Sequence, residues 1–456
     1  MYKIEKVGLE DLLASREARM DVKLQLIEKY NMSLVSFSMN IAGEIKRTPL
    51  IELAFDYGYD KLIKRLGEPF TDVVQKDASG CFAALCYDID AEELKKICVE
   101  IEDTEPLGRL FDMDVMNSAG IQLRRGDGRK CLICGGDAFS CGRSRSHGLE
   151  AVICRTEEIL VEFATGYIAS QAVSSLIEEL ELTPKPGLVD LNNCGAHSDM
   201  DYLMMRKSAF ALEHFFAQAL RWGYDNCDLE SISRSKVKQL RNLGVEAEKR
   251  MFEITGGVNT HRGAIYGMGI LLAASGSTMH RKGEIRENSK KISAALEVVN
   301  TSEDKASNGS KVKMNYGIGG ACEEALQGFN TAFEAMKYFE SALQSRECDK
   351  AYKRQNQEIE KYQAKAYEIK VSKLRTLMFI LSKASDTNLV HRGGISGLEF
   401  AREEAMRILS LPDDELLNEL TSLDEKFTDK NLSPGGSADL LAECLFLYKM
   451  KKAHVL

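Results

Sequence analysis

The spacing of hydrophobic residues changes near residue 150 of the chain. Before that point, segments with an apolar residue every three or four positions alternate with short segments rich in strand-forming residues. The first spacing places apolar side chains on one face of a helix, and alternation places them on one face of a strand. The pattern predicts helices at 8–29, 49–66 and 91–102, and strands at 34–41, 81–89, 109–116 and 121–124. This alternation indicates an α/β or α+β domain with a small mixed sheet.

Beyond about residue 154 the strand pattern is lost, and helical spacing recurs as far as residue 450. We therefore expect two domains, 1–150 and 151–456, of which the second is an all-α helical domain. The polar stretch 300–315 is expected to be a loop. Loops often carry the functional side chains of a rigid scaffold, so active-site residues are expected in the glycine-rich loops between helices. These loops lie at 256–264, 316–321, 391–397 and 431–439.

The 456 residues include 60 Lys and Arg against 69 Asp and Glu, which gives a formal net charge of −9. This balance argues against a protein that binds nucleic acid or an anionic membrane, because such proteins carry a basic excess. No apolar run reaches the ~20 residues of a membrane helix, and the first residues lack the apolar core of a secretory signal. The 12 scattered cysteines are typical of reduced thiols. We expect a cytoplasmic protein.

Two aspartates, Asp112 and Asp114, lie in the predicted strand 109–116. Side chains alternate along a strand, so both carboxylates point to the same face. They repel each other unless a proton or a cation lies between them. Mg²⁺ prefers oxygen ligands and commonly shares them with substrate phosphates. The pair is therefore a candidate magnesium site, and the alternative is a solvated pair at the edge of a sheet.

Three cysteines and a histidine follow within a short segment, at Cys131, Cys134, Cys141 and His147. Three thiolates and an imidazole can hold a zinc ion. The spacing is not that of a common zinc finger, and the alternative is a turn with buried thiols.

Arg143, Arg145 and His147 lie close together before the next predicted helix. Guanidinium groups near the free amides of a helix start suit a phosphate. The alternative is an ordinary charged helix face.

The segment CLICGGDAFSCGRSRSH (131–147) and the preceding RLFDMDV (109–115) resemble the apo-citrate lyase phosphoribosyl-dephospho-CoA transferase family. The resemblance covers about residues 5–150 and includes SREAR (15–19). It implies transfer of a phosphoribosyl-dephospho-CoA group to a serine of the citrate lyase acyl carrier (gamma) subunit, with release of pyrophosphate. It also implies that Asp112 and Asp114 bind a metal ion. The implied phosphate or carrier contacts are Arg16, Arg19, Arg109, Arg143, Arg145 and His147.

In the second half, ionisable residues cluster around a turn that is rigid because Pro184 and Pro186 flank Lys185. Lys185 is a candidate for contact with an anionic ligand, and the alternative is a solvated lysine. Within the next residues lie Asp190, His197 and Asp199. Helix N-caps would explain one or two of these aspartates.

The later glycine loops carry further polar residues. Glycines before a helix start let backbone amides approach a phosphate closely, although any one loop could be a simple connection. No Walker P-loop is present. The candidate residues are Asn259, His261 and Arg262 in the first loop, Asp386, Asn388, Arg392, Gly393 and Gly394 in the third, and Gly435, Gly436, Ser437 and Asp439 in the fourth.

The motifs PKPGLVD, NCGAHSDMD, GVNTH, YGIGGA, DTNLVHRGG and NLSPGGSADLL resemble the triphosphoribosyl-dephospho-CoA synthase family in their order. The resemblance covers about residues 155–450. It implies that ATP is joined to 3′-dephospho-CoA with release of adenine. Two departures from the family pattern stand out. In GACEEA (320–325), Cys322 replaces an arginine and Glu323 a glycine that the family often has, and in THRG (260–263), Arg262 replaces a lysine and keeps the charge.

Cleavage of the bond between adenine and ribose passes through an oxocarbenium-like state. Such a reaction needs a carboxylate to stabilise the cation or take the proton of the attacking hydroxyl, and a donor for adenine. Lys185, Arg262 and Arg392 would hold the triphosphate with Mg²⁺. The carboxylate candidates are Asp190, Asp199, Asp386 and Asp439, and the donor candidates are His197 and His261.

The two resemblances together imply a bifunctional enzyme that makes a prosthetic-group precursor and then transfers it. One alternative is the equivalent maturation of a malonate decarboxylase carrier. Another is a non-catalytic nucleotide or CoA sensor, and a third is a zinc-binding interaction module in the first half.

Overall fold

The computed structural model describes residues 5–126, 128–279, 283–299, 308–351 and 358–453. The chain forms two compact units, the first made largely of the residues up to Gly166 and the second of those from Tyr167 onward. The units divide within helix α5 (Leu149–Leu180), beyond the boundary expected at residue 150. The change in hydrophobic spacing near residue 150 marks the start of that helix. Of the loop expected at 300–315, residues 300–307 lie outside the described residues, and Asn308–Tyr316 is a helix.

The first unit is an α+β domain. Its strands are β1 (Ser33–Met39), β2 (Thr71–Asp77), β3 (Gly80–Tyr87), β4 (Phe111–Met116) and β5 (Gln122–Leu123). Its helices before α5 are α1 (Leu9–Tyr30), α2 (Pro49–Leu66), α3 (Ala91–Thr104), the 3₁₀ turn Gly108–Leu110 and α4 (Ala138–Ser144).

The sheet has the order β2-β3-β1-β4-β5, and every neighbouring pair of these strands is antiparallel. The mixed sheet expected from the sequence was therefore wrong in this respect. Strand β2, which the hydrophobic pattern missed, forms a hairpin with β3. It lies at the sheet edge and all of its side chains are at least partly exposed, so it lacks the hydrophobic alternation that reveals half-buried strands.

The two faces of the sheet differ in character. One face packs against α2 and α3, and there Phe37 stacks on Phe55 with ring centroids 4.8 Å apart. On the other face, Ile27 of α1 packs with Leu34 and Met116. Continuing along that second face, Ser36 lies opposite Asp114 and Ser38 opposite Asp112. The face covered by α1 is therefore apolar at one end and carries the aspartate pair at the other.

The described part of the second unit is helical. After α5, its helices are α6 (Tyr202–Ala211), α7 (Glu213–Asp225), α8 (Arg234–Thr255), α9 (Arg262–Ser277), α10 (Ile285–Val299), α11 (Asn308–Tyr316), α12 (Gly320–Leu326), α13 (Asn330–Ala351), α14 (Glu358–Lys383), α15 (Thr387–Leu409), α16 (Asp413–Asp429) and α17 (Gly435–Lys452). Among the helices of the described ranges, none is long and apolar enough to cross a membrane.

Helix α9 is the central element of this unit. It is apolar on nearly all sides and buried along most of its length, as expected for a helix surrounded by others. Helix α7 packs against it so closely that a side chain at Gly223 or Gly276 would collide with backbone of the other helix. This packing holds α9 in place, and the functional site begins at the N-terminus of the same helix.

Candidate active sites

A cavity of about 1360 Å³ opens in the second unit. Its polar lining includes five segments that the sequence analysis singled out: the end of α5 with the loop after it, and the starts of α9, α12, α15 and α17. The structure therefore brings together the loops that the sequence singled out. The predicted site residues that line the cavity are Lys185, His197, Asp199, Asn259, His261, Arg262, Asp386, Asn388, Arg392, Gly435, Gly436 and Asp439.

Asp190 is buried outside this lining. Its carboxylate accepts hydrogen bonds from the backbone amides of Lys185 at 3.0 Å, Asn192 at 2.7 Å and Asn193 at 3.2 Å. Because a carboxylate with several amide donors is already satisfied, Asp190 holds the turn that presents Lys185.

Asp386 is satisfied in a similar way, although it borders the cavity. One carboxylate oxygen accepts from the amides of Asn388 and Leu389 and so caps α15. The other accepts from the amide and the hydroxyl of Ser437, at 2.7 and 2.9 Å. Burial raises the pKa of this carboxyl, and the hydrogen bonds oppose that shift. Asp386 therefore ties the start of α15 to the start of α17.

Three residues predicted to bind phosphate lie outside the lining of the cavity. The amide of Ser437 points to Asp386. A side chain at Gly393 would collide with Leu432, which indicates a packing role. Gly394 has φ +66° and interrupts α15 with a kink, a conformation that favours glycine.

His197 forms a polar chain with Arg392 and Ser433. Arg392 Nη2 donates to His197 Nδ1 at 3.1 Å, so the ring proton lies on Nε2, which is 2.8 Å from Ser433 Oγ. Burial, and then the charge of Arg392, lower the pKa of His197. The second arm of Arg392 donates to the carbonyl of Ala196 at 2.8 Å. His197 is thus a neutral ring that helps to hold Arg392 at the cavity.

His261 is the N-cap residue of α9 and is 5% exposed. Its Nδ1 lies 3.0 Å from Ser208 Oγ, and its amide donates to Met251 Sδ. Burial, and then the charge of Lys185, lower the pKa of His261 to about 4. The imidazole is therefore neutral at physiological pH and offers one N–H rather than a full positive charge.

The cations at the cavity already have acidic neighbours. Lys185, 1% exposed, forms a salt bridge with Glu179. Arg262 Nε lies 3.1 Å from Glu248 Oε2, and the arginine remains 40% exposed at its side chain. An anionic ligand would thus replace the acidic partner of such a group rather than bind to a cation that has no partner.

Asp439 differs from Asp190 and Asp386 because it receives no hydrogen bond from any described residue. Glu443, which the sequence analysis missed, follows one turn later on α17, is 3% exposed and lines the same cavity. Its Oε2 is buried without a partner in the described part of the chain. Burial, and then Glu179 for Asp439 and Asp439 for Glu443, raise the pKa values of both carboxyls well above the ordinary range.

Two glycines of α9 make room for this pair. A side chain at Gly263 would overlap the Asp439 carboxylate, and one at Gly267 would overlap that of Glu443. The spacing of four residues is the same on both helices, so each carboxylate lies in a notch on α9. Glu443 could have been noticed as the single acidic residue in the apolar run LLAECLFL (440–447).

We expect Gly267→Ala to destabilise the protein by about 1–3 kcal/mol, because a methyl group overpacks a filled site. It should also push Glu443 aside and reduce adenine release, the activity that the resemblance implies. Chemical denaturation of the full chain measures the first effect. Gly166→Ala is the matched control, since Gly166 lies in α5 with nothing near its absent side chain. That variant should be ~0.5–1 kcal/mol more stable than the wild type. Equal stabilities of Gly267→Ala and Gly166→Ala would show that Glu443 does not lie in a notch on α9.

The two departures from the family pattern also lie at the cavity. Glu323 Oε2 accepts from the amide of Gly319 at 3.0 Å and closes the glycine loop before α12. Burial raises the pKa of the Cys322 thiol. Cys322 therefore presents a neutral thiol at the wall.

In the first unit, Asp112 and Asp114 share one face of β4, as the alternation predicted, and both are half-buried. Partial burial, and then the charge of Asp114, raise the pKa of Asp112. Arg129 Nη2 lies 3.5 Å from Asp112 Oδ1. The pair thus keeps the mutual repulsion that a bound cation would relieve.

Side chains that the sequence analysis missed cover the part of β4 not paired with β5. Lys95 donates to the carbonyl of Met113 at 3.0 Å, and Glu102 accepts from its amide at 2.9 Å. Arg129 donates to the carbonyl of Phe111 and forms a salt bridge with Glu102. The signal for this group is an acid, Glu102, that lies between two basic residues. This arrangement exists only once α3 has packed on the strand.

The predicted phosphate-binding arginines are placed differently from one another. Arg19 donates to the carbonyl of Gly80 at 3.0 Å and lies over the Phe82 ring, so it helps to hold the β2–β3 hairpin. Arg16 is exposed on α1. Arg109 is half-buried beside β4, and Arg143 and Arg145 are exposed at α4.

The cysteine segment is compact. The ligand atoms of Cys131, Cys134, Cys141 and His147 all lie within 4.8 Å of one another. Backbone amides of Cys134 and Ile133 that point to the sulfur lower the pKa of Cys131 to about 6. The four residues predicted from spacing therefore meet in space.

Comparison with known proteins identifies a family for each of the two parts of the chain. The family model described as apo-citrate lyase phosphoribosyl-dephospho-CoA transferase matches residues 7–163, and that described as ATP:dephospho-CoA triphosphoribosyl transferase matches residues 165–455.

Whole-chain relatives carry both parts. Protein CitXG of Haemophilus influenzae is 32% identical over 98% of this chain and 97% of its own length. Protein CitXG of Leuconostoc mesenteroides subsp. cremoris is 28% identical over 98% of each. A 2-(5''-triphosphoribosyl)-3'-dephosphocoenzyme-A synthase of Haemophilus ducreyi is 33% identical over 70% of this chain and 99% of its length. The chain therefore belongs to the fused family that joins an apo-citrate lyase phosphoribosyl-dephospho-CoA transferase domain to a triphosphoribosyl-dephospho-CoA synthase domain, and it is a bifunctional transferase.

Proposed function

We propose that the cavity of the second unit binds ATP and 3′-dephospho-CoA and that Asp439 takes the proton of the attacking 2′-hydroxyl. The observation that carries this proposal is the difference in hydrogen-bond partners between Asp439 and the buried aspartates Asp190 and Asp386. Asp190 and Asp386 are saturated by backbone amides, whereas Asp439 has no donor among the described residues. A base must have a free oxygen within reach of the proton it removes.

The reaction then forms the bond from the 2′-oxygen to the ribose C1′ of ATP as the bond to adenine breaks. Until the proton has passed to Asp439, the negative charge of that carboxylate stabilises the oxocarbenium-like transition state. His261 offers its N–H to the departing adenine, which takes up a proton from solvent while Asp439 releases the one it has taken. Its pKa of about 4 means that it acts as a neutral hydrogen-bond donor rather than as an imidazolium.

Positive charge for the triphosphate comes from Arg262, Arg392 and Lys185 at the cavity wall. Glu443 fits Mg²⁺, because its orphaned buried oxygen is a hard ligand aimed at the cavity. When bound there with the phosphates, the cation would neutralise their charge. A guanidinium group can hold two phosphate oxygens at once. In this way Arg262 and Arg392 orient the triphosphate and keep it away from the reacting C1′ of the ribose.

For the first unit, we propose that the Asp112–Asp114 face binds the precursor made by the second. Two carboxylates on one strand face fit Mg²⁺, which would supply charge neutralisation for the leaving pyrophosphate. Arg109 and Arg129 lie beside the pair and stabilise the same charge. The acceptor is a serine of the apo-citrate lyase acyl carrier (gamma) subunit, and both reactions take place in the cytoplasm, where ATP is available.

Mass spectrometry tests both steps in one mixture of the full chain, ATP, 3′-dephospho-CoA and Mg²⁺. We expect free adenine and a triphosphoribosyl adduct without the carrier, and a carrier of increased mass when it is added. Ligand binding without adenine would mean a sensor. Modification of a malonate decarboxylase carrier in preference to the citrate lyase carrier would reassign the partner.

Glu443→Gln is expected to flatten the pH dependence of stability. A buried carboxyl with a raised pKa keeps its proton in the folded state while the unfolded chain releases it near its ordinary pKa. Stability therefore falls as pH rises from that ordinary value, by at most about 1.4 kcal/mol per pH unit for one group. Chemical denaturation between pH 5 and 8 in EDTA measures the slope. Glu253→Gln, at an exposed site on α8, is the control, and parallel curves for all three proteins would contradict the assignment.

A further inference from the structure

We propose that Cys131, Cys134, Cys141 and His147 bind one Zn²⁺ ion in a structural site of the first unit. The four ligand atoms come from a single segment, lie within 4.8 Å of one another and consist of three sulfurs and one nitrogen. Zinc favours this ligand set in tetrahedral sites. The site is separate from both proposed active sites, and the proposal does not depend on them.

The first two cysteines lie in a tight turn whose backbone geometry suits a metal ion. The amide of Cys131 donates to the carbonyl of Gly136 at 2.6 Å, and the amide of Gly135 donates to the carbonyl of Cys131 at 3.1 Å. Gly135 has φ +72°, which favours glycine. The amide of Ile133 points to Cys131 Sγ at 3.5 Å. The backbone thus holds both thiols on the same side and supplies N–H donors to one of them.

The third ligand is placed by helix α4. Its N-cap residue, Asp137, accepts from the amide of Ser140 at 2.7 Å, next to Cys141. Cys134 Sγ and Cys141 Sγ are 3.6 Å apart. Two sulfurs on a tetrahedral zinc with bonds of about 2.3 Å lie about 3.8 Å apart, whereas a disulfide needs about 2.05 Å. The observed separation matches the metal site rather than the disulfide.

The fourth ligand returns to the cluster through a sharp turn. Arg145 has φ +50°, and the amide of Ser146 donates to the carbonyl of Cys141 at 3.2 Å. His147 Nε2 is buried and has no hydrogen-bond partner among the described residues. A buried ring nitrogen without a partner is costly unless a ligand satisfies it. This nitrogen is therefore the second, independent observation that points to a metal.

The ligand set is complete, so the ion would have no open position for chemistry. Its effect is to hold the chain around it. Arg143 and Arg145 lie between the third and fourth ligands, and Arg129, two residues before the first ligand, contacts Asp112 at 3.5 Å. Loss of the metal should therefore weaken carrier modification and leave adenine release unchanged.

The test uses the full chain purified under reducing conditions from zinc-supplemented medium and dialysed against metal-free buffer. Elemental analysis should find one zinc per chain. Cys131→Ser and His147→Gln should lose it, and Cys154→Ser, an exposed thiol on α5 of the same unit, should retain it. Co²⁺ added to the metal-free protein should give the visible absorption of a tetrahedral thiolate site.

Two results would overturn the proposal. One is a folded wild-type chain that retains neither zinc nor the cobalt spectrum. The other is zinc that remains at one per chain in Cys131→Ser, since it would then lie elsewhere. A variant that unfolds on losing zinc supports a structural ion, because Zn²⁺ should restore folding in wild type stripped with a chelator but not in that variant.

Discussion

Replacing Asp439 with Asn is expected to reduce the rate of adenine release by about 10²–10⁴-fold, the usual contribution of a positioned general base. The amide keeps the size of the side chain but cannot take the proton of the 2′-hydroxyl. Because the charges of Glu179 and Asp386 oppose the ionisation of this carboxyl, its neutral replacement should not destabilise the fold. Adenine release is followed by chromatography, and transfer of supplied precursor to the carrier should be unchanged.

The pH profile gives this prediction a second readout. A base must be ionised, and burial raises the pKa of Asp439, so kcat/KM should rise with pH along an acidic limb displaced upward. His261 should contribute no limb near neutrality, because its pKa is about 4. Asp199→Asn is the matched control, since that carboxylate also lines the cavity but is 59% exposed. A large loss in Asp199→Asn with none in Asp439→Asn would assign the base to Asp199.

The hydrophobic pattern predicted those elements that bury one face. Helix α2 was predicted at 49–66 and observed as Pro49–Leu66, because its apolar residues follow helical spacing and Thr48 caps its start. Strand β2 was missed because an edge strand is stabilised by backbone pairing with β3 rather than by a buried face. The sequence therefore indicated four of the five strands, but not the edge strand β2 or the antiparallel order of the sheet.

The sequence predicted which loops form the site in the second unit, but not which role each of their residues has. Four aspartates were equal candidates for the base, because nothing local separates a capping carboxylate from a free one. Asp386 is distinguished by donors from Ser437, 51 positions away in the chain. Such a partner exists only after α15 and α17 have packed. Glu443 was missed because a single acid in an apolar helix is explained only by its neighbours in the folded chain. Those neighbours are the glycines of α9, which make room for its carboxylate.

The two active sites can be separated by their different carboxylates. The synthase cavity is lined within the second unit, and the Asp112–Asp114 pair lies on the sheet of the first. Each unit therefore supplies its own acids and cations. A substitution in one should leave the chemical step of the other intact when its substrate is supplied directly.

Asp112→Asn and Asp114→Asn are therefore each expected to slow carrier modification by at least about 10²-fold, the scale on which loss of electrostatic stabilisation at a leaving group lowers kcat. Each should also raise the Mg²⁺ concentration needed for half-maximal transfer, because one of two hard ligands is lost. Adenine release should stay unchanged. Asp112→Asn should not lower stability, since it removes repulsion from Asp114. Intact mass of the carrier against time and Mg²⁺ concentration measures these effects.

Asp72→Asn is the control for this experiment, because Asp72 also lies on a strand of the sheet but is exposed at its edge and bonded to Tyr59. It should modify the carrier at the wild-type rate. If Asp112→Asn and Asp114→Asn transferred at that rate with unchanged Mg²⁺ dependence, the pair would be a solvated one, and the leaving pyrophosphate would have to be stabilised by the arginines beside β4.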